Sequence, residues 1–161
     1  MMTLRIGQGF DIHRLESGDG VTLGGLWIAC PYRLVAHSDG DVVLHAVMDA
    51  MLGALALGDI GELFPDTDAR YQGADSAQLT RIVRDRCRHL GYVVGNLDLT
   101  ILCEQPKISP HRATMREVIA QVLDIPVDRI SVKATTCEQL GSIGRGEGLA
   151  VQAIVLMLAH A

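Results

Sequence analysis

The chain has 161 residues, 48% of them hydrophobic but only 4% aromatic, and carries a formal net charge of −5. That length suits one domain, residues 1–161, with an aliphatic core of Ala, Val, Leu and Ile that buries roughly 70% of the surface the unfolded chain exposes. The acidic balance, without a Lys/Arg block or aromatic–basic interleaving, argues against nucleic-acid binding. An anionic ligand would have to be neutralised locally, by metal ions or nearby basic groups.

Leu4 to Leu15 reads as a strand, and Val21 to Ala29 as a strand pair turned at Gly24-Gly25. His37-Ser-Asp-Gly-Asp41 supplies capping residues for a helix expected from Asp41 to about Leu57. Gly58 to Tyr71, rich in Gly, Pro and Asp, reads as a loop. Ser76 to His89 is an amphipathic helix with Leu79, Ile82, Val83 and Leu90 on one stripe, ended by Gly91. Tyr92 to Cys103 reads as a strand, and Pro110 to Leu123 as a helix opened by a permitted N-terminal proline. Arg129 to Thr136 and Gly148 to His160 are strands, the last nearly unbroken Val, Ile, Leu and Ala, as expected of a central strand.

This order predicts an α+β fold, a mixed sheet with helices packed on one face. The sheet's other face is also apolar, which predicts a homo-oligomer. Cys30, Cys87, Cys103 and Cys137 form no CxxC pair and read as free thiols of a reducing compartment. There is no charged-then-apolar leader pattern and no stretch that spans a membrane, so a cytoplasmic location is expected.

Asp11 and His13 lie two apart on a strand and leave from the same face. Asp41, His45 and Asp49 follow at intervals of four, a narrow polar stripe on an apolar helix. Buried carboxylates need partners, so this stripe is either a hydrogen-bonded seam or part of a ligand set. Spacing alone leaves both open. Two histidines and one carboxylate make a catalytic zinc site with one open position, and the same set takes other divalent transition metals.

Gly9-Phe-Asp-Ile-His13, Ala36-His-Ser-Asp-Gly-Asp41 leading to His45, Gly58-Asp-Ile-Gly61 and Leu63-Phe-Pro-Asp-Thr-Asp68 run in order along the chain. Gly73-Ala-Asp-Ser76, Pro106-Lys107, Lys133-Ala-Thr-Thr136 with Glu138, and Gly144-Arg-Gly-Glu-Gly148 continue the series. Together they resemble the 2-C-methyl-D-erythritol 2,4-cyclodiphosphate synthase family across nearly the whole sequence. The resemblance implies a phosphorus–oxygen lyase of non-mevalonate isoprenoid biosynthesis. Its substrate, 4-diphosphocytidyl-2-C-methyl-D-erythritol 2-phosphate, closes on itself and expels CMP. It also implies a homotrimer with active sites between subunits.

Carried onto this chain, the resemblance makes Asp11, His13 and His45 zinc ligands. It assigns His37 and Thr136 to catalysis and Glu138 to a magnesium or manganese ion bridging the diphosphate. Ser38, Asp59, Ile60, Gly61, Phe64, Pro65, Asp66, Thr67 and Asp68 would bind the methylerythritol phosphate. Cys103, Glu104, Gln105, Pro106, Lys107, Ile108, Ser109, Thr135, Thr136 and Cys137 would form the nucleotide pocket, supplied by a neighbouring subunit. Ser142 and Arg145 match positions near the trimer axis, where Arg145 would meet phosphate-type ligands. The chain departs from the family pattern at Gln8, Cys137 and Ser142-Ile143.

Such a reaction rests on positioning and charge neutralisation, because the attacking phosphate oxygen is already ionised. His37 therefore reads as a hydrogen-bonding or electrostatic group rather than a general base. Asp41 and Asp49 read as orienting or capping groups, and Asp59 as a partner for substrate hydroxyls. Lys107 and Lys133 either touch nucleotide phosphate or lie solvated. Two competing readings use the same residues. One is a metal-dependent phosphohydrolase with water in the open position, and the other is a non-catalytic trimer that binds isoprenoid diphosphates near Arg145.

Overall fold

The computed structural model describes residues 3–160. Its first strand, β1 (Leu4–Ser17), is followed by a hairpin of β2 (Gly20–Leu23) and β3 (Leu26–Ala29) and a short β4 (Tyr32–Leu34). Gly24 and Gly25 take φ of +62° and +76°, the paired left-handed geometry that a two-residue hairpin turn requires. Then come α1 (Val42–Ala54), the one-turn α2 (Ile60–Leu63), α3 (Ser76–His89), β5 (Tyr92–Leu102) and α4 (Arg112–Leu123). β6 (Ile130–Thr135), the one-turn α5 (Gly141–Gly144) and β7 (Gly148–Ala159) complete the order.

Five strands form one sheet in the order β4-β1-β7-β5-β6, with β2–β3 as a separate ribbon. The sheet is mixed: β5 and β6 run parallel, and the other neighbours are antiparallel. The apolar β7 is its middle strand, as its composition predicts. Helices cover the inner face, so alternate residues along each strand part company. On β1, Gly7 and Gly9 point inward and are buried, while Leu4, Ile6, Phe10 and Ile12 point outward and stay at least 49% exposed.

The two inward glycines explain how α1 reaches the sheet. A side chain at Gly7 or Gly9 would run into the carbonyl oxygens of Ala50 and Ala46. Without side chains there, the α1 backbone lies directly against β1, and His45 comes level with Asp11. Nearly all of α1 is buried, including Val43, Leu44, Met48 and Leu52, which is why its pattern shows little polar face. A single contiguous core joins α1 to the inner face of the sheet and to α3 and α4.

The structure moves several expected boundaries. Helix α1 stops at Ala54 rather than near Leu57, because Ala56 turns into positive φ and Leu57 N–H folds back to Leu52 C=O. The Gly58–Tyr71 segment is not all loop: Asp59 caps α2, and Asp68 caps a 3-10 turn at Ala69–Tyr71. Pro110 sits in a 3-10 turn ahead of α4. The three-residue β4 and the one-turn α5 are too short for a periodic signal.

Candidate active site

Asp11 and His13 share the inner face of β1, and His45 projects from the first turns of α1. Asp11 Oδ2 lies 3.1 Å from His13 Nδ1 and 3.0 Å from His45 Nδ1, so one carboxylate oxygen sits between two imidazole nitrogens. Donor atoms of the three residues lie within 4.8 Å of one another. His13 Nδ1 is buried and makes no hydrogen bond of acceptable geometry. A buried nitrogen without a partner, facing an oxygen anion and a second imidazole, fits a divalent cation held by all three.

Electrostatics agree with that fit. Burial acts to raise Asp11, but the adjacent His13 and His45 imidazoles hold its carboxyl below the usual range. Burial acts to lower His45, yet the Asp11 hydrogen bond and the charges of Asp11, Asp41 and Asp39 hold it above the ordinary imidazole value.

The rest of the polar stripe has separate work. Asp41 is fully buried and accepts from Gly24 N–H at 2.8 Å, Gly25 N–H at 2.6 Å and Leu44 N–H at 3.0 Å. It caps α1 and ties that helix to the β2–β3 turn, and burial pushes its carboxyl up to about 6 against those donors. Asp49 accepts the Ile60 N–H at 2.8 Å, which anchors α2 to α1. Burial raises its carboxyl as well.

The metal-capable group opens into a cleft of about 520 Å³. His37, Ser38, Ile60, Gly61, Phe64 and Asp66 line it beside His13 and His45. Asp59 instead uses its side chain to accept the Glu62 N–H at 2.9 Å, and Asp68 is engaged by Arg70. Pro65, Thr67 and these two aspartates do not line the cleft.

The other predicted residues gather elsewhere. Thr136 Oγ1 donates to Glu138 Oε1 at 3.2 Å, and Cys137 N–H donates to Glu104 Oε1 at 2.9 Å, which joins the loop after β6 to the loop after β5. Cys103 and Ile108 are buried beneath this junction, and burial pushes the Cys103 thiol up to about 11, far from a reactive thiolate. Lys133 is paired with Asp98 at 2.5 Å, while Lys107 is exposed. Arg145 pairs with Glu147 at 2.7 Å, and Ser142 lines a second hollow of about 500 Å³ that Ile12 and His13 also line.

Register gives the separation of the two groups. Asp11, Val151, Ile101 and Ala134 stand in one row across β1, β7, β5 and β6. Three strand spacings place the β6 end about 14 Å from Asp11. Within one chain, Thr136 and Glu138 therefore stay apart from the cleft that holds His45. Two residues with clear roles carried no individual assignment from the sequence: Ser76 and Asp39, both at the back of His45. Their signal lay only in the motifs Gly73–Ser76 and His37–Asp41, since a lone serine or aspartate has no pattern of its own.

The fold and this cluster together define a small α+β protein built around a metal-capable Asp-His-His group. The chain belongs to the YgbB family, whose description matches residues 4–158. The 2-C-methyl-D-erythritol 2,4-cyclodiphosphate synthase of Xanthomonas axonopodis pv. citri is 58% identical over 153 residues, covering 95% of this chain and 92% of that one. The synthase of the same name from Pseudomonas aeruginosa is 55% identical, covering 98% of this chain and 100% of its own. Among solved structures, the Plasmodium falciparum IspF–CDP complex superposes with a TM-score of 0.87 at 37% identity, covering 98% and 97%. The bifunctional IspDF of Campylobacter jejuni superposes at 0.95 with 42% identity, this chain spanning 43% of that longer one.

Proposed function

We infer that this chain converts 4-diphosphocytidyl-2-C-methyl-D-erythritol 2-phosphate to 2-C-methyl-D-erythritol 2,4-cyclodiphosphate and CMP. The observation that carries the reading is the Asp11–His13–His45 group at the head of a cleft, in a chain more than half identical to named synthases. The substrate's own 2-phosphate oxygen attacks the β-phosphorus of its diphosphate arm; the new P–O bond closes the ring as the bond to CMP breaks. Asp11, His13 and His45 would hold a divalent cation, zinc being the first choice, and Glu138 a magnesium or manganese ion; when bound, these would supply Lewis acidity and charge neutralisation.

The protein's own groups position the reactants. Ser38 and His37 line the cleft and offer hydrogen bonds there, and Ile60, Gly61 and Phe64 line it for the methylerythritol unit. The residues from Cys103 to Ser109, with Thr135, Thr136 and Cys137, receive the cytidine diphosphate. The CDP complex of a relative with this fold supports that assignment. Holding the two arms of one molecule in near-attack geometry is worth roughly 7–11 kcal/mol, so positioning does most of the work.

The working unit is a homotrimer. Two features support it: the row of exposed Ile6, Phe10, Ile12 and Ile154 on the uncovered sheet face, and the separation of the cleft from Thr136 and Glu138. An interface in which the β6 end of one copy meets the cleft of the next closes both gaps at once. No helix among the described residues is long and apolar enough to cross a membrane.

Incubating the purified protein with the diphosphocytidyl substrate tests the function. CMP and a cyclic diphosphate should form, stop when a chelator is added, and resume with zinc and magnesium. Release of orthophosphate in place of the cyclic product would show a phosphohydrolase and overturn the reading.

A further inference from the structure

His45 presents its two nitrogens to different surroundings. Nδ1 faces Asp11 Oδ2, and Nε2 faces Ser76 Oγ at 3.1 Å and Ser38 Oγ at 3.2 Å. Ser76 is fully buried at the start of α3. Its Oγ lies 2.5 Å from Asp39 Oδ1, and its N–H donates to Asp39 Oδ2 at 2.9 Å. Asp39 Oδ1 also accepts the Asp41 N–H at 3.1 Å.

Donor and acceptor accounting gives this chain a direction. An ionised carboxylate only accepts, so the single hydroxyl proton of Ser76 goes to Asp39. The remaining lone pairs of Ser76 Oγ then face His45 Nε2 as acceptors. An imidazole that gives its Nδ1 lone pair to a cation carries its hydrogen on Nε2, the atom Ser76 is placed to receive. Ser38, by contrast, accepts the Gly40 N–H at 3.2 Å and lines the open cleft, where substrate competes for it.

We propose that Asp39 and Ser76 form a buried relay behind His45 that orients the imidazole and commits its Nδ1 to the metal. Both are positioning residues, because neither touches the cation or the reacting phosphates. The relay links three separate segments, since Asp39 precedes α1, His45 lies within it and Ser76 opens α3. Docking of α3 and the geometry of the metal group are therefore fixed together. Partners of this kind hold ligand orientation and raise ligand basicity, and their loss typically weakens metal binding by about 10–100-fold. The proposal rests on the reading of Asp11, His13 and His45 as metal ligands.

Ser76→Ala is the direct test. Helix α3 keeps its Asp75 cap and the Thr80 Oγ1–H bond to Ser76 C=O, so the variant retains its local fold. Zinc affinity of the apo protein would be measured by competition with a chromophoric chelator, and the imidazole N–H of the zinc-loaded protein by proton NMR. Ser76→Ala should bind zinc about 10–100-fold more weakly and lose the slowly exchanging His45 Nε2–H resonance. Ser76→Thr, which keeps the hydroxyl, should restore both, and Asp39→Asn should weaken binding without altering stoichiometry. Unchanged affinity and an unchanged N–H resonance in Ser76→Ala would overturn the relay. Failure of the unaltered protein to bind stoichiometric zinc would instead overturn the metal-site reading on which it rests.

Discussion

On the β1–α1 side of the sheet, Asp11, His13 and His45 converge within one chain and lie largely out of solvent. On the β5–β6 side, Thr136 bonds mainly to its neighbour Glu138, and Glu138 stands exposed. The first group is backed by Ser76, which faces His45 Nε2, and by Asp39 and Asp41, whose carboxylates each accept backbone N–H groups. The difference teaches that the metal-capable group is completed within one folded chain, whereas the Thr136–Glu138 group is not brought to it within that chain.

The largest expected effect falls on the self-contained half. His45→Ala should abolish tight zinc binding and bring CMP formation to background, with zinc content measured by atomic absorption on the folded protein. Stoichiometric zinc in that variant would remove His45 from the ligand set and with it the contrast between the two halves.

Gly9→Ala probes how the self-contained half is assembled. A methyl group there meets the Ala46 carbonyl, so α1 must move away from β1 and carry His45 with it. Overpacking of this kind costs about 1–3 kcal/mol, read from the urea midpoint, and zinc binding should weaken in parallel. Full stability and full zinc affinity would mean that α1 is not held at its closest approach. An alanine at Gly146, in the turn before β7, meets no atom within 4 Å, although its φ of +74° adds backbone strain of its own.

A smaller, pH-dependent effect belongs to Asp41. Burial pushes its carboxyl up to about 6, above the ordinary 3.8, so the folded chain holds this proton more tightly than the unfolded chain does. The contribution is complete below 3.8 and is lost as pH rises through about 6. Stability of the unaltered protein relative to Asp41→Asn should therefore decline across that window and level off above it. A flat difference would show that the three N–H donors fully offset burial.

Most of the fold was legible because long elements carry period and punctuation. Ser76–His89 has a clear stripe and a stop at Gly91, and the apolar run from Gly148 marked the middle strand. Short elements such as β4 and α5 escaped because three or four residues cannot show a period. The Asp11, His13 and His45 spacings were visible, but spacing alone left a ligand set and a polar seam equally open. The structure shows that the stripe divides: His45 joins Asp11 and His13, while Asp41 and Asp49 bind backbone N–H groups. The roles of Asp39 and Ser76 stayed hidden because their 37-residue separation in sequence closes only when α3 docks on α1.

Mixing two inactive variants tests most directly whether the site is shared between copies. His45→Ala removes a member of the metal-capable group and Glu138→Ala removes the proposed second-cation ligand, so each alone should release almost no CMP. If the halves come from neighbouring copies, unfolding and refolding an equimolar mixture should restore about a quarter of the unaltered activity, the share of sites that pair two intact halves. Activity that stays at background in mixed trimers of normal size would place both halves in one chain and contradict the account.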